Sequence, residues 1–148
     1  MAGPKSYYLQ NQFLDWLLRA QSFSPPTTTY MALFTVTPSD SGGGTEVSSS
    51  GTSYARVSIA STLANWAGTQ SAGSTTPSSG TSGTTSNNNA VTFPAPTGNW
   101  GVVVAFGLFD AATSGNLIYW GPLTVSKTIN NGDAAPSFGA AAFSIQEQ

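Results

Sequence analysis

The sequence has 148 residues, which suits one domain able to bury roughly two-thirds of its unfolded surface. Charged residues make up only 7% of it, four Lys/Arg against six Asp/Glu, where an ordinary soluble domain carries about 25%. Four scattered cations cannot neutralise a run of phosphates, and no apolar run approaches the roughly 20 residues of a membrane span, so neither nucleic acid nor membrane is an expected partner.

In chain order, the first element expected is a helix over residues 5–20. Leu9, Phe13, Trp16 and Leu17 fall at i, i+4, i+7 and i+8 on one face, and Leu14 and Leu18 widen it. Gln10, Gln12 and Asp15 are expected on the wet side. Ser6 can cap the start, and Pro25 and Pro26 forbid continuation. Two readings of the apolar face stand open: it covers one end of the domain's own sheet, or it docks on another subunit. Tyr8, Leu9, Phe13, Trp16 and Leu17 are the candidate interface residues.

Thr28 to Val36 is rich in β-branched and aromatic residues and reads as a strand. Pro38 to Gly44 is a turn cluster, and no Gly-Lys-Ser or Gly-Lys-Thr follows it, so it is not a phosphate loop. Tyr54 to Ile59 is a second strand; Thr62 to Trp66 continues it or turns. Residues 68–89 are almost wholly Ser, Thr, Gly and Asn. They offer too little apolar area to offset an ordering cost of roughly 1–2 kcal/mol per residue, so they read as a long polar loop ordered with help from outside the chain.

Ala90 to Phe93 is a short strand ended by Pro94. Trp100 to Phe109 is an almost continuous apolar run, the pattern of a central strand buried on both faces. Residues 110–116 turn, and Leu117 to Trp120 returns as a hairpin. Leu123 to Ile129 and Ser137 to Ile145 are further strands, separated by the turn Asn130-Asn131-Gly132-Asp133. The expectation is one mainly β domain over 1–148, an antiparallel sandwich or jelly-roll-like barrel with one N-terminal α-helix. There is no internal repeat.

The residues for chemistry are few. His and Cys are absent, which removes the usual general base, Ser-His-Asp triads, thiolate metal sites and disulfides. Asp110 and Asp133 are the carboxylates that could share one end of a sandwich, but Asp in turns serves backbone hydrogen bonding far more often than glycoside hydrolysis. Ser126 and Lys127 adjoin on a strand and point to opposite faces. Trp66, Trp100, Trp120, Tyr54 and Tyr119 could stack on sugar rings, although a core role is commoner. Arg56 and Glu46 are placed to form an exposed pair. No enzyme activity, cofactor or metal is expected.

Segments running from Lys5-Ser-Tyr-Tyr-Leu9 through Thr29-Tyr-Met-Ala-Leu-Phe-Thr35, Ser53-Tyr-Ala-Arg56 and Val91-Thr-Phe-Pro94 follow a familiar order. It continues through Phe106-Gly-Leu-Phe-Asp-Ala111, Asn116-Leu-Ile-Tyr-Trp-Gly121 and Asn131-Gly-Asp133. This order resembles a family of small tailed-phage structural proteins. Members are commonly labelled tail-fibre proteins, and others of similar size are capsid decoration, or cement, proteins. The resemblance implies a virion component and carries over no catalytic residue. Fibre shafts need long repeats or coiled coils, which this sequence lacks, so head decoration is favoured over a tail-fibre or sugar-contacting receptor-binding role. The implied partners are the major capsid protein or other virion subunits and further copies of the chain.

Overall fold

The computed structural model describes residues 4–147. Helix α1 spans Tyr7–Arg19 and is followed by β1 (Thr28–Val36), β2 (Thr45–Glu46), β3 (Val57–Ala60), β4 (Thr84–Ser86), β5 (Val91–Thr92), β6 (Gly101–Phe109), β7 (Leu117–Ile129), β8 (Ser137–Phe138) and β9 (Ser144–Gln146). The main sheet is antiparallel in the order β2-β1-β6-β7, and β3 shares the outer edge of β1 with β2. Two antiparallel ribbons, β4–β9 and β5–β8, lie on one face of it. Among the described residues no sheet closes, so of the two expected architectures the open sandwich with an N-terminal helix is the one adopted.

Strand alternation explains the main core. Met31 pairs with Leu108 and Leu33 with Phe106, which puts four apolar side chains on the covered face. Phe143 drops from the second layer onto Phe106, ring edge to face, at 4.6 Å between centroids. Tyr54, Phe93 and Trp100 form an aromatic trio at the other end of the same core. Val103 and Phe106 would point to opposite faces of a regular strand. A register shift between Val103 and Ala105 brings both into the core.

The opposite face carries a thin layer in which Phe34 and Phe109 stack over the backbone at Gly107. A Cβ at Gly107 would lie 2.9 Å from both Leu117 Cδ1 and Phe34 Cε2, so only glycine lets these side chains lie flat on the strand.

Several sequence expectations are corrected. The two strands expected at Leu117–Trp120 and Leu123–Ile129 are one continuous β7. Pro122 is tolerated within it because β7 lies at the edge of the main sheet and the ladder there is already irregular. The single strand expected over Ser137–Ile145 is two, β8 and β9, joined by a turn. Asn87 organises that turn: its amide donates to the carbonyls of Gly139 and Asn89 and accepts from the Phe143 N–H.

Residues 68–89 are not loop throughout, because Thr84–Ser86 pairs with β9 as β4. The rest of the segment is laced by hydrogen bonds of its own. Gln70 donates to the hydroxyls of Ser74 and Thr76, each at 2.6 Å, and accepts from the Ser79 N–H, so the loop folds around one amide side chain.

Candidate assembly surface

The chain enters α1 from the edge of β7. The Trp120 N–H donates to the Pro4 carbonyl, the Ser6 N–H donates to the Ile118 carbonyl, and Ser6 Oγ donates to the Leu117 carbonyl. The Tyr7 N–H donates to the Asp40 carbonyl, while the Asp40 carboxylate accepts from Trp120 Nε1 at 3.0 Å. Ser6 Oγ also caps the helix by accepting from the Leu9 N–H. The helix ends at Ala20, whose φ of 53° is left-handed, with the Gln21 N–H bonded to the Asp15 carbonyl. The chain then returns through Phe23, Pro25 and Pro26 to β1. Residues 4–27 therefore form an arm anchored at both ends on the body.

This arm is inside out. Successive helical residues rotate by about 100°, which gathers Trp16, Phe13, Leu17, Leu14, Tyr7 and Leu18 into an arc of roughly 200°. All six are exposed, from 44% for Phe13 to 73% for Leu18, and every residue of α1 is at least partly exposed. The residues expected to be wet, Gln10, Gln12 and Asp15, are instead half-buried. Of the two readings left open, covering the domain's own sheet does not describe these six side chains: Tyr8, Leu9, Gln10, Gln12 and Asp15 are the sheltered residues of the helix, and the six stay exposed. The backbone bonds at residues 4–7 fix the helix azimuth, so the apolar stripe has no freedom to rotate inward.

Of the five candidate interface residues, Phe13, Trp16 and Leu17 point outward, the first two with ring centroids 5.8 Å apart. Tyr8 and Leu9 are half-buried at the root of the arm. There they line a groove of about 610 Å³ beneath it, together with Phe23 and Pro26 of the returning segment, Ile118 of β7 and Ile145 of β9. Sequence reading did not find the groove, because its walls come from segments spread along the chain from Tyr8 to Glu147. Phe23, an aromatic beside Pro25-Pro26, was the one local signal.

The other sequence candidates resolve into structural roles. Trp100 and Tyr54 are core residues, 4% and 5% exposed. Trp66 packs its edge on Phe143, and Tyr119 donates its hydroxyl to Glu147; both border the groove. Asp110 and Asp133, which could have shared one end of a sandwich, lie beyond opposite ends of the β6–β7 hairpin, since Phe109 pairs with Leu117 and Gly101 with Ile129. Each bonds its own turn: Asp110 accepts from Asn116, and Asp133 from the Asn130 N–H. Among the described residues, no group of three or more His, Cys, Asp or Glu is placed to hold a metal.

Arg56 and Glu46 do pair, but not at an exposed site. The Arg56 side chain is 7% exposed, bonds both Glu46 oxygens, donates to the carbonyls of Ala111 and Ser114, and lies 3.6 Å above the Phe109 ring. Tyr54 completes the cluster by donating to Glu46 and accepting from the Leu33 N–H. Burial pushes the Tyr54 hydroxyl well above the usual tyrosine range, and the Glu46 charge adds to this. Tyr119 is raised for the same first reason, with Glu147 as its partner.

A low-charge β-sandwich with a rigid, outward-facing apolar arm has the surface of a structural protein. The sequence matches the family model of the podophage GP4 fiber I protein gp80 over residues 4–146, and the chain belongs to that family. It is a bacteriophage structural protein of the virion. No curated protein matches it.

Proposed function

We propose that the chain is a fibre-type building block of the phage particle, held in its assembly by the α1 arm. The observation that carries this reading is the outward apolar arc of α1. Six large side chains exposed together on one helix make a contiguous apolar patch of the kind that marks an interaction surface. The low charge supports it, since sparse like charge leaves closely packed subunits little to repel. The family's description as a fibre protein favours the tail apparatus. Capsid decoration is kept as a second reading, because the sequence lacks the repeats and heptads that lengthen a shaft.

Immunogold labelling of intact virions tests both. Label at the tail supports the fibre reading, label over the head supports decoration, and absence from purified virions overturns the proposal. In the fibre case, added protein is expected to compete with adsorption.

A further inference from the structure

We propose that the α1 arm of one copy seats its apolar arc in the groove beneath the arm of a second copy, so that subunits join head to tail. This deepens the functional reading by naming a copy of the chain itself as the first partner of the arm. Three observations lead to it.

The first is that the arm is incomplete alone. A helix of 13 residues is at the ~12–15-residue limit below which isolated helices are marginal in water. Tertiary packing normally supplies the difference, and here only Tyr8 and Leu9 among its large apolar side chains are half-buried against the body, while the other six stay exposed.

The second is area. Six side chains exposed by 44–73% present roughly 600 Å² of surface. Covering this with an equal area of partner buries about 1,200 Å², the lower bound of a specific interface.

The third is fit between two parts of the same molecule. Phe13, Trp16 and Leu17 follow the i, i+3, i+4 spacing by which a helix enters an apolar groove. The groove has room for large side chains, with Phe23, Pro26, Ile118 and Ile145 in its walls. Charge does not oppose the contact. The apolar arc carries no ionisable side chain other than the Tyr7 phenol, and the helix's one ion pair, Asp15–Arg19, sits on the polar side. The carboxylates bordering the groove are already bonded, Asp110 to Asn116 and Glu147 to Lys5 and Tyr119. Seating a helix there strands no unpaired charge.

Packing the arms on one another would use the same arc but leave the groove's apolar walls wet. An arc of roughly 200° is also wider than the ~100° stripe that a single helix–helix contact buries. A groove wraps both flanks. Because the two surfaces differ, the contact is heterologous, and it closes into a ring or extends as a row according to the rotation between copies.

The test uses complementation between two variants of the full chain. Trp16→Gln with Leu17→Gln removes the anchors while keeping helix-forming residues. Ser61→Trp places a bulky ring at the exposed rim of the groove. Circular dichroism and melting confirm that each variant is folded, and Ser24→Arg, at the same groove, replaces Ser61→Trp if that one is not. Sedimentation velocity then gives the assembly state.

Wild type is expected to form a ring or longer rows, each variant alone to be monomeric, and the equimolar mixture to form a heterodimer and nothing larger. A groove variant that assembles like wild type, a mixture that stays monomeric, or a wild type that is monomeric at all concentrations overturns the proposal. The result is independent of where the protein lies in the virion. A monomer found in the particle refutes the self-docking alone, whereas an oligomer missing from the particle refutes the virion role alone.

Discussion

Replacing Arg56 by alanine should cost far more than removing an ordinary surface ion pair. The guanidinium is 7% exposed and makes four hydrogen bonds, two to Glu46 and one each to the carbonyls of Ala111 and Ser114. It therefore ties β2 and the start of β3 to the tip of the β6–β7 hairpin. Breaking a buried pair by removing one partner costs about 3–5 kcal/mol. The Glu46 side chain is 28% exposed and regains some hydration, so about 3 kcal/mol is the appropriate figure. At about 2–4 °C per kcal/mol for a chain of this size, the melting temperature should fall by roughly 6–12 °C.

A double-mutant cycle in urea separates the contributions. In the Glu46→Ala background, Arg56→Ala should cost only about 1–2 kcal/mol, the value of the two carbonyl bonds and the stacking on Phe109. Measuring at fixed protein concentration keeps any self-association constant. A single-mutant loss under 1 kcal/mol would mean the cluster is effectively solvated, and the account of the hairpin tip would be wrong.

Three further outcomes follow from particular contacts. Gly107→Ala should destabilise by about 1–3 kcal/mol in urea, through overpacking against Phe34 and Leu117, whereas Gly139→Ala, with nothing near the added Cβ, should not. Asn87→Ala should cost about 1–3 kcal/mol, because it strands the buried Phe143 N–H and removes the amide bonds to the part-buried carbonyls of Gly139 and Asn89; hydrogen exchange at Phe143 should rise with it. For pH, Tyr54 and Tyr119 hold their protons more tightly folded than unfolded, so their contribution is complete below the unfolded value of 10.0 and is lost as pH rises above it. Above about pH 10, stability should decline by up to ~1.4 kcal/mol per unit for each tyrosine. Two of the five tyrosines should show no tyrosinate absorbance until unfolding, and Tyr119→Phe should lessen the slope.

Local sequence determined what depends on neighbours along the chain. The helix from Tyr7, its cap at Ser6, its stop before Pro25, the β-branched and aromatic run of β1 and the continuous apolar run of β6 were legible because residue type, spacing and turn residues act over a few positions. The shortage of charge and the lack of His and Cys were equally plain, being composition. Pairing was less legible. The runs on either side of Gly121-Pro122 read as two strands, and only the edge position of β7, fixed by long-range hydrogen bonds, makes them one. The polar run at 68–89 looked costly to order, and no local pattern showed that Gln70 bonds the loop's own hydroxyls and the Ser79 N–H, or that Asn87 reaches the backbone of Gly139 and Phe143.

The direction of α1 was the decisive matter left to tertiary structure. Periodicity places Phe13, Trp16 and Leu17 on one face but gives that face no azimuth. The azimuth comes from Pro4, Ser6 and Tyr7 bonding to β7 and to Asp40, contacts between segments more than 30 residues apart in sequence. Those bonds turn an ordinary amphipathic pattern outward, away from the body that would normally bury it.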